Sequence, residues 1–83
     1  MIIGVEHQST FDKNMIFRIL NYDATTYINQ VESKKEVHPV GSFVFYTGDK
    51  KWNTPLELND YFDIPEELKA YINEWKFIFV DVK

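Results

Sequence analysis

The sequence predicts an α/β fold with a small three-stranded, mainly parallel sheet and flanking helices. Three short apolar segments, at residues 2–5, 40–46 and 75–82, are typical of buried strands because they are too short for helices. The segments between them carry helix patterns, and strands that alternate with helices form parallel sheets through right-handed crossovers. The expected element order is therefore β-α-β-α-α-β, in a single domain over residues 1–83.

A long helix is predicted after the first strand. Its apolar residues recur at steps of three and four, which gives one stripe for burial. The members of this stripe are Ile16, Ile19, Leu20, Ala24, Tyr27, Ile28 and Val31. Either Thr10 or Asp12 is expected to cap the helix start. His38-Pro39 prevents the helix from continuing further.

Two short helices are predicted between the second and third strands. Thr54 is a candidate cap for the first of them, and Pro55 fits its first turn. The second begins near Pro65 and carries Leu68, Tyr71 and Ile72 on one face. The nearly continuous apolar strands predict a sheet that is buried on both faces.

Composition and charge exclude several classes of function. The chain has no cysteine, which rules out disulfides and thiolate metal sites. Its net charge of −4 argues against tight binding of nucleic acid by this chain alone, so DNA is expected to bind only weakly. No segment has the length of a membrane span or the pattern of a secretory signal, which predicts a cytoplasmic protein.

One cluster has catalytic character, namely Glu6-His7-Gln8-Ser9 at the end of the first strand. Ligand sites of parallel sheets lie beyond the carboxyl ends of the strands. Glu6 and Gln8 alternate with His7, so they point to the same side and suit a divalent metal and a water. On spacing alone the favoured interpretation is a polar, solvated strand end, since such short motifs often match by chance.

Four segments in order carry a family resemblance: residues 4–10 (GVEHQST), 15–22 (MIFRILNY), 43–53 (FVFYTGDKKWN), and 56–58 with 61–63 (LEL, YFD). Together they resemble the Rpn family of recombination-promoting nucleases, also called putative transposases. That family is similar to the PD-(D/E)xK nucleases, in which an Asp on one strand, with a Glu and a Lys or Gln on the next, assembles a magnesium site.

The resemblance implies a role for five residues. Glu6 matches the metal-binding Glu and Gln8 takes the place of the lysine, which makes both candidate catalytic residues. His7 lies between them, and its backbone carbonyl would help Glu6 to ligate Mg²⁺. Arg18 matches the arginine of the helix motif and, with Lys13, is a candidate for binding phosphate. An exposed or core-capping Arg18 is an equal alternative.

The sequence departs from the family where the Asp is expected. That Asp lies on a strand upstream of the Glu, and only five residues precede Glu6, which predicts a truncated restriction-endonuclease-like core. With one carboxylate, the chain is expected to bind Mg²⁺ weakly or not at all. Asp12 is the nearest local replacement, although a role at the helix start is favoured. Gln8 also lacks the positive charge of the lysine.

A missing neighbouring strand would leave the first strand as an open edge, and open edges pair with other chains. We therefore expect a homo-oligomer, formed through the first strand or an uncovered helix face, or docking on a full-length relative. Three functions remain open. The first is a non-catalytic nuclease-like domain that acts by association. The second is a Mg²⁺-dependent DNA endonuclease that completes its site in trans, and the third is a remnant without a role.

Overall fold

The strands form one parallel sheet, with a single long helix over one of its faces. The structure, a computed structural model, describes residues 1–82. Its regular elements are β1 (Ile2–Gln8), α1 (Met15–Glu32), β2 (Val40–Tyr46) and β3 (Ile78–Asp81). The strand order is β1-β2-β3, and both strand pairs are parallel. The predicted α/β fold is therefore confirmed.

The first strand is longer than its apolar segment indicates. It continues through Glu6, His7 and Gln8, which pair with residues 44–46 of β2. Three of the four residues of the candidate cluster thus form the end of the strand itself, and Ser9 follows it. Because β2 lies in the centre of the sheet, β1 is an edge strand, with one side paired and the other open among the described residues.

The hydrophobic core lies between α1 and the sheet. Its buried members are Met15, Ile16, Ile19, Val44 and Phe77. The predicted helix stripe is confirmed at Ile16 and Ile19, Leu20 and Tyr27 are half-buried, and the prediction is wrong at three later positions. Ala24, Ile28 and Val31 are exposed, and Asp23 and Gln30 are buried instead.

Both buried polar residues of α1 have hydrogen-bond partners, which explains how they replace apolar ones. The Gln30 amide makes two hydrogen bonds with the backbone of His38. Its Nε2 donates to the His38 carbonyl (3.1 Å), and its Oε1 accepts from the His38 N–H (2.7 Å). Asp23 accepts from Ser42 and Trp75. Which helix residues are buried therefore depends on where hydrogen-bond partners for polar side chains lie, as well as on the spacing of the apolar residues.

The helix start also differs from the prediction. Neither Thr10 nor Asp12 is the N-cap residue, because that position is taken by Asn14, whose side chain makes no capping bond. The Asp12 carboxylate lies just before it, and its Oδ1 accepts a bond of 2.9 Å from the Asn14 N–H. Asp12 thus orders the turn that leads into the helix.

The two short helices are present, but as 3₁₀ turns at Leu58–Tyr61 and Glu66–Tyr71. Neither contains a fully buried residue, and Leu58 of the first turn is the residue of the two turns that packs against the core, so neither turn presents a packed face that would support a longer α-helix. Thr54 does not act as a cap, since its hydroxyl donates instead to the Lys13 carbonyl (3.1 Å). The third strand is also shorter than predicted.

The two faces of the sheet differ in their cover. On the α1 side, Ser42, Val44 and Tyr46 are buried. On the opposite side, Ile3, Val5 and Ile78 are each more than half exposed. The expected burial of both faces is therefore wrong for residues 1–82, because the single long helix covers one side only. None of the helices in this range has the length and apolarity to cross a bilayer.

Candidate functional site

The candidate site lies where the end of β1 meets the start of α1. Residues of β1 alternate between the two faces of the sheet, and the buried Gly4 marks the face toward α1. Glu6 and Gln8 belong to this same face, as the sequence predicts. The loop after β1 carries Asp12 back toward Glu6, and the first turns of α1 place Arg18 between them.

Arg18 holds two carboxylates at once. Its Nη2 donates to Glu6 Oε1 at 2.8 Å, and its Nη1 donates to Asp12 Oδ2 at 3.1 Å. The planar guanidinium suits this double contact because its donors are fixed in one fork. The three side chains are 52% (Arg18), 37% (Glu6) and 26% (Asp12) exposed, so the cluster is accessible to solvent and to ligands.

The remaining candidates point elsewhere. Gln8 Nε2 donates to Thr10 Oγ1 at 3.2 Å, which turns the amide toward the following loop. The His7 ring lies on the opposite face of β1, where its Nε2 is 3.2 Å from Thr47 Oγ1. Lys13 is exposed at the start of the helix region. The structure thus brings Glu6 and Arg18 together and leaves the other three candidates apart from them.

Arg18 binds the two carboxylates that could otherwise ligate a magnesium ion. Within residues 1–82, no group of three or more His, Asp or Glu side chains is placed to hold a metal. The two carboxylates that do converge are both engaged by the guanidinium of Arg18. A divalent cation would have to displace that group before it could reach the carboxylate oxygens.

A half-open cavity of about 350 Å³ lies beside the cluster, between β1 and α1. Gly4, Glu6, Arg18, Tyr22 and Ser42 are among its lining residues. The Tyr22 ring lies directly on the strand, since a Cβ at Gly4 would be 2.5 Å from Tyr22 Cε1. The glycine therefore permits the close approach that shapes this wall of the cavity.

Asp23 is a residue that the sequence analysis missed. It is 2% exposed, and its carboxylate accepts from Ser42 Oγ at 2.6 Å and from Trp75 Nε1 at 2.9 Å. These bonds join α1 to β2 and to the segment before β3, directly behind the Ser42 wall of the cavity. One signal was available, since Asp23 follows Ile16 and Ile19 at helical spacing and thus falls on the buried stripe.

Comparison with known proteins gives one family. The model of the family described as "Putative transposase, YhgA-like" matches residues 2–83. No curated protein and no solved structure gives a significant match to the chain.

Proposed function

This chain belongs to the family of YhgA-like putative transposases, and on that premise we propose that it is a nuclease-like domain of the PD-(D/E)xK kind which does not cut DNA by itself. It acts by association, either with another copy or with a full-length relative. We expect this association to take place in the cytosol, with DNA bound only weakly because the net charge is −4.

One observation carries the proposal: both carboxylates of the candidate site are held by Arg18. Hydrolysis at a magnesium site needs carboxylates that are free to ligate the ion and orient a water. Here Glu6 and Asp12 instead neutralise a guanidinium. Gln8 adds no positive charge and faces Thr10. The site is therefore assembled as an ion-pair cluster, which stabilises the junction of β1 and α1.

In the alternative in which a site is completed in trans, Glu6 is the acid that this chain would contribute. Arg18 and Lys13 are the cations available to a phosphate, once Arg18 leaves its carboxylate partners. A second free carboxylate would come from another polypeptide. Since exposed ion pairs contribute only about 0–1 kcal/mol, a phosphate can compete for Arg18 without unfolding the domain.

A second candidate function is a Mg²⁺-dependent DNA endonuclease that completes its site in trans. The observation that favours it is the position of β1 at the sheet edge, because the open side of this strand can pair with a strand of another chain. Such pairing would bring a side chain of the second polypeptide next to Glu6.

A cleavage assay tests both functions. Folded protein is incubated with plasmid and single-stranded DNA in Mg²⁺ or Mn²⁺, beside Glu6→Gln and a chelator control. We expect no cleavage above the level of Glu6→Gln. Cleavage that is abolished by both Glu6→Gln and the chelator would contradict the non-catalytic proposal and support the second candidate.

A binding assay tests the role of Arg18 directly. Arg18→Gln is expected to raise the affinity for Mg²⁺ in calorimetry, because Glu6 and Asp12 lose their internal cation. Lys69→Gln is the matched control, since Lys69 pairs only with the exposed Glu66 at 3.0 Å. Equal Mg²⁺ affinities of Arg18→Gln and the wild type would show that the guanidinium does not keep the metal out.

A further inference from the structure

The sheet face opposite α1 is mainly apolar. Parallel pairing places Val5 opposite Phe43 and Phe43 opposite Ile78, and paired residues project to the same side. The large side chains of this bare sheet face are those of Ile3, Val5, His7, Phe43, Phe45, Ile78 and Val80. Ile3, Val5 and Ile78 are 53%, 66% and 54% exposed, whereas the rings of Phe43 and Phe45 stack on each other at 6.2 Å.

A bare apolar face of this kind is unusual in a parallel sheet that has no covering layer on that side. Parallel sheets occur almost only with both faces covered, and contiguous exposed apolar patches mark interaction sites. The molecule is correspondingly thin, with a smallest extent of 15 Å. A second layer on the bare sheet face would complete the usual arrangement, in which a sheet lies between two covering layers.

The molecule as a whole exposes more surface than its size predicts, and the bare sheet face is part of that exposed surface. A folded protein of 9.9 kDa is expected to expose about 5,200 Å². This chain exposes 6077 Å² over the described residues. The surplus of about 900 Å² is close to the ~800 Å² that each partner buries in an interface of standard size.

We propose that the bare sheet face is the interface with a second copy of this chain. A twofold contact places the same patch on both sides, so the patch must be complementary to itself. A face that carries no Asp, Glu, Lys or Arg within its strands, and whose polar side chain is His7 on the edge strand β1, meets this condition although each chain carries −4. Two such sheets can pack face to face about 10 Å apart, with α1 outside on both copies.

This interface differs from the edge of β1 and from the exposed face of α1, and it rests on the self-association in the proposed function, whereas the DNA-cleavage assay tests the absence of catalysis separately. Sedimentation velocity of the wild type at micromolar concentration is expected to show a dimer. Val5→Lys and Ile78→Lys, on different strands, are each expected to raise the dimer dissociation constant by roughly a hundredfold or more, because a buried unpaired ammonium opposes docking. Ile28→Lys is the matched control, since Ile28 is 54% exposed on α1, and it is expected to leave the dimer intact.

A labelling experiment gives a readout that needs no charged variant. Because the chain has no cysteine, Ile78→Cys and Ile28→Cys each provide a single thiol. Maleimide is expected to modify Ile78→Cys at least about tenfold more slowly at a protein concentration at which the dimer forms than after dilution. The rate of modification of Ile28→Cys is expected to be the same at both concentrations. A monomeric wild type at micromolar concentration would overturn the proposal. So would a dimer that survives both lysine variants, or one that dissociates in Ile28→Lys.

Discussion

The buried carboxylate of Asp23 should be a major determinant of stability, and Asp23→Ala tests this. The substitution removes the acceptor of two donors, Ser42 Oγ and Trp75 Nε1. A buried donor that is left without a partner costs about 1–3 kcal/mol. The bond from the Ser42 hydroxyl is buried and the bond from the Trp75 indole is partly buried, so both donors contribute to the loss. We therefore expect a loss of about 2–4 kcal/mol, against a total stability of roughly 4–12 kcal/mol for a chain of this length.

Urea unfolding, followed by tryptophan fluorescence and circular dichroism, measures this loss. The midpoint of Asp23→Ala should fall by more than about 1 M if the m-value stays near about 1 kcal/mol/M. Asp23→Asn is the conservative control. Its amide oxygen can accept from Trp75 and its amide group can donate to Ser42, so it should lose much less. Asp63→Ala, at an exposed position, should be nearly neutral. A stable Asp23→Ala, or an Asp23→Asn as unstable as Asp23→Ala, would refute the reasoning.

Two further comparisons test packing, each by thermal unfolding. Gly48→Ala is expected to destabilise by about 1–3 kcal/mol, because a Cβ would overlap the ring of the buried Tyr46. Gly4→Ala should lose less, since the ring that it meets on α1 is half exposed and can turn away; equal losses in the two variants would contradict this. Ile19→Ala is expected to lose about 2–4 kcal/mol, and Ile28→Ala less than about 0.5 kcal/mol, because only the first side chain is buried. Similar losses for these two would mean that the outer face of α1 is covered in solution.

Several features were determined by the sequence alone. The three apolar segments predicted the strands, and the spacing of Ile16 and Ile19 predicted the inward face at the start of α1. Glu6 and Gln8 could be assigned to one common face of the sheet from the two-residue period of a strand. These inferences succeed because they depend on local periodicity, which neighbouring residues specify without reference to distant ones.

The tertiary structure determined the contacts between residues that are distant in the sequence. The prediction of helical burial failed at Ala24, Ile28 and Val31 because burial there follows the hydrogen bonds of Asp23 and Gln30 to residues beyond the helix. The 3₁₀ turns lack a packed face, which local capping signals do not reveal. The uncovered side of the sheet depends on how many elements pack over it. Most of all, the engagement of Glu6 and Asp12 by Arg18 arises from the fold, since a guanidinium between two carboxylates is a contact in space rather than a pattern in sequence.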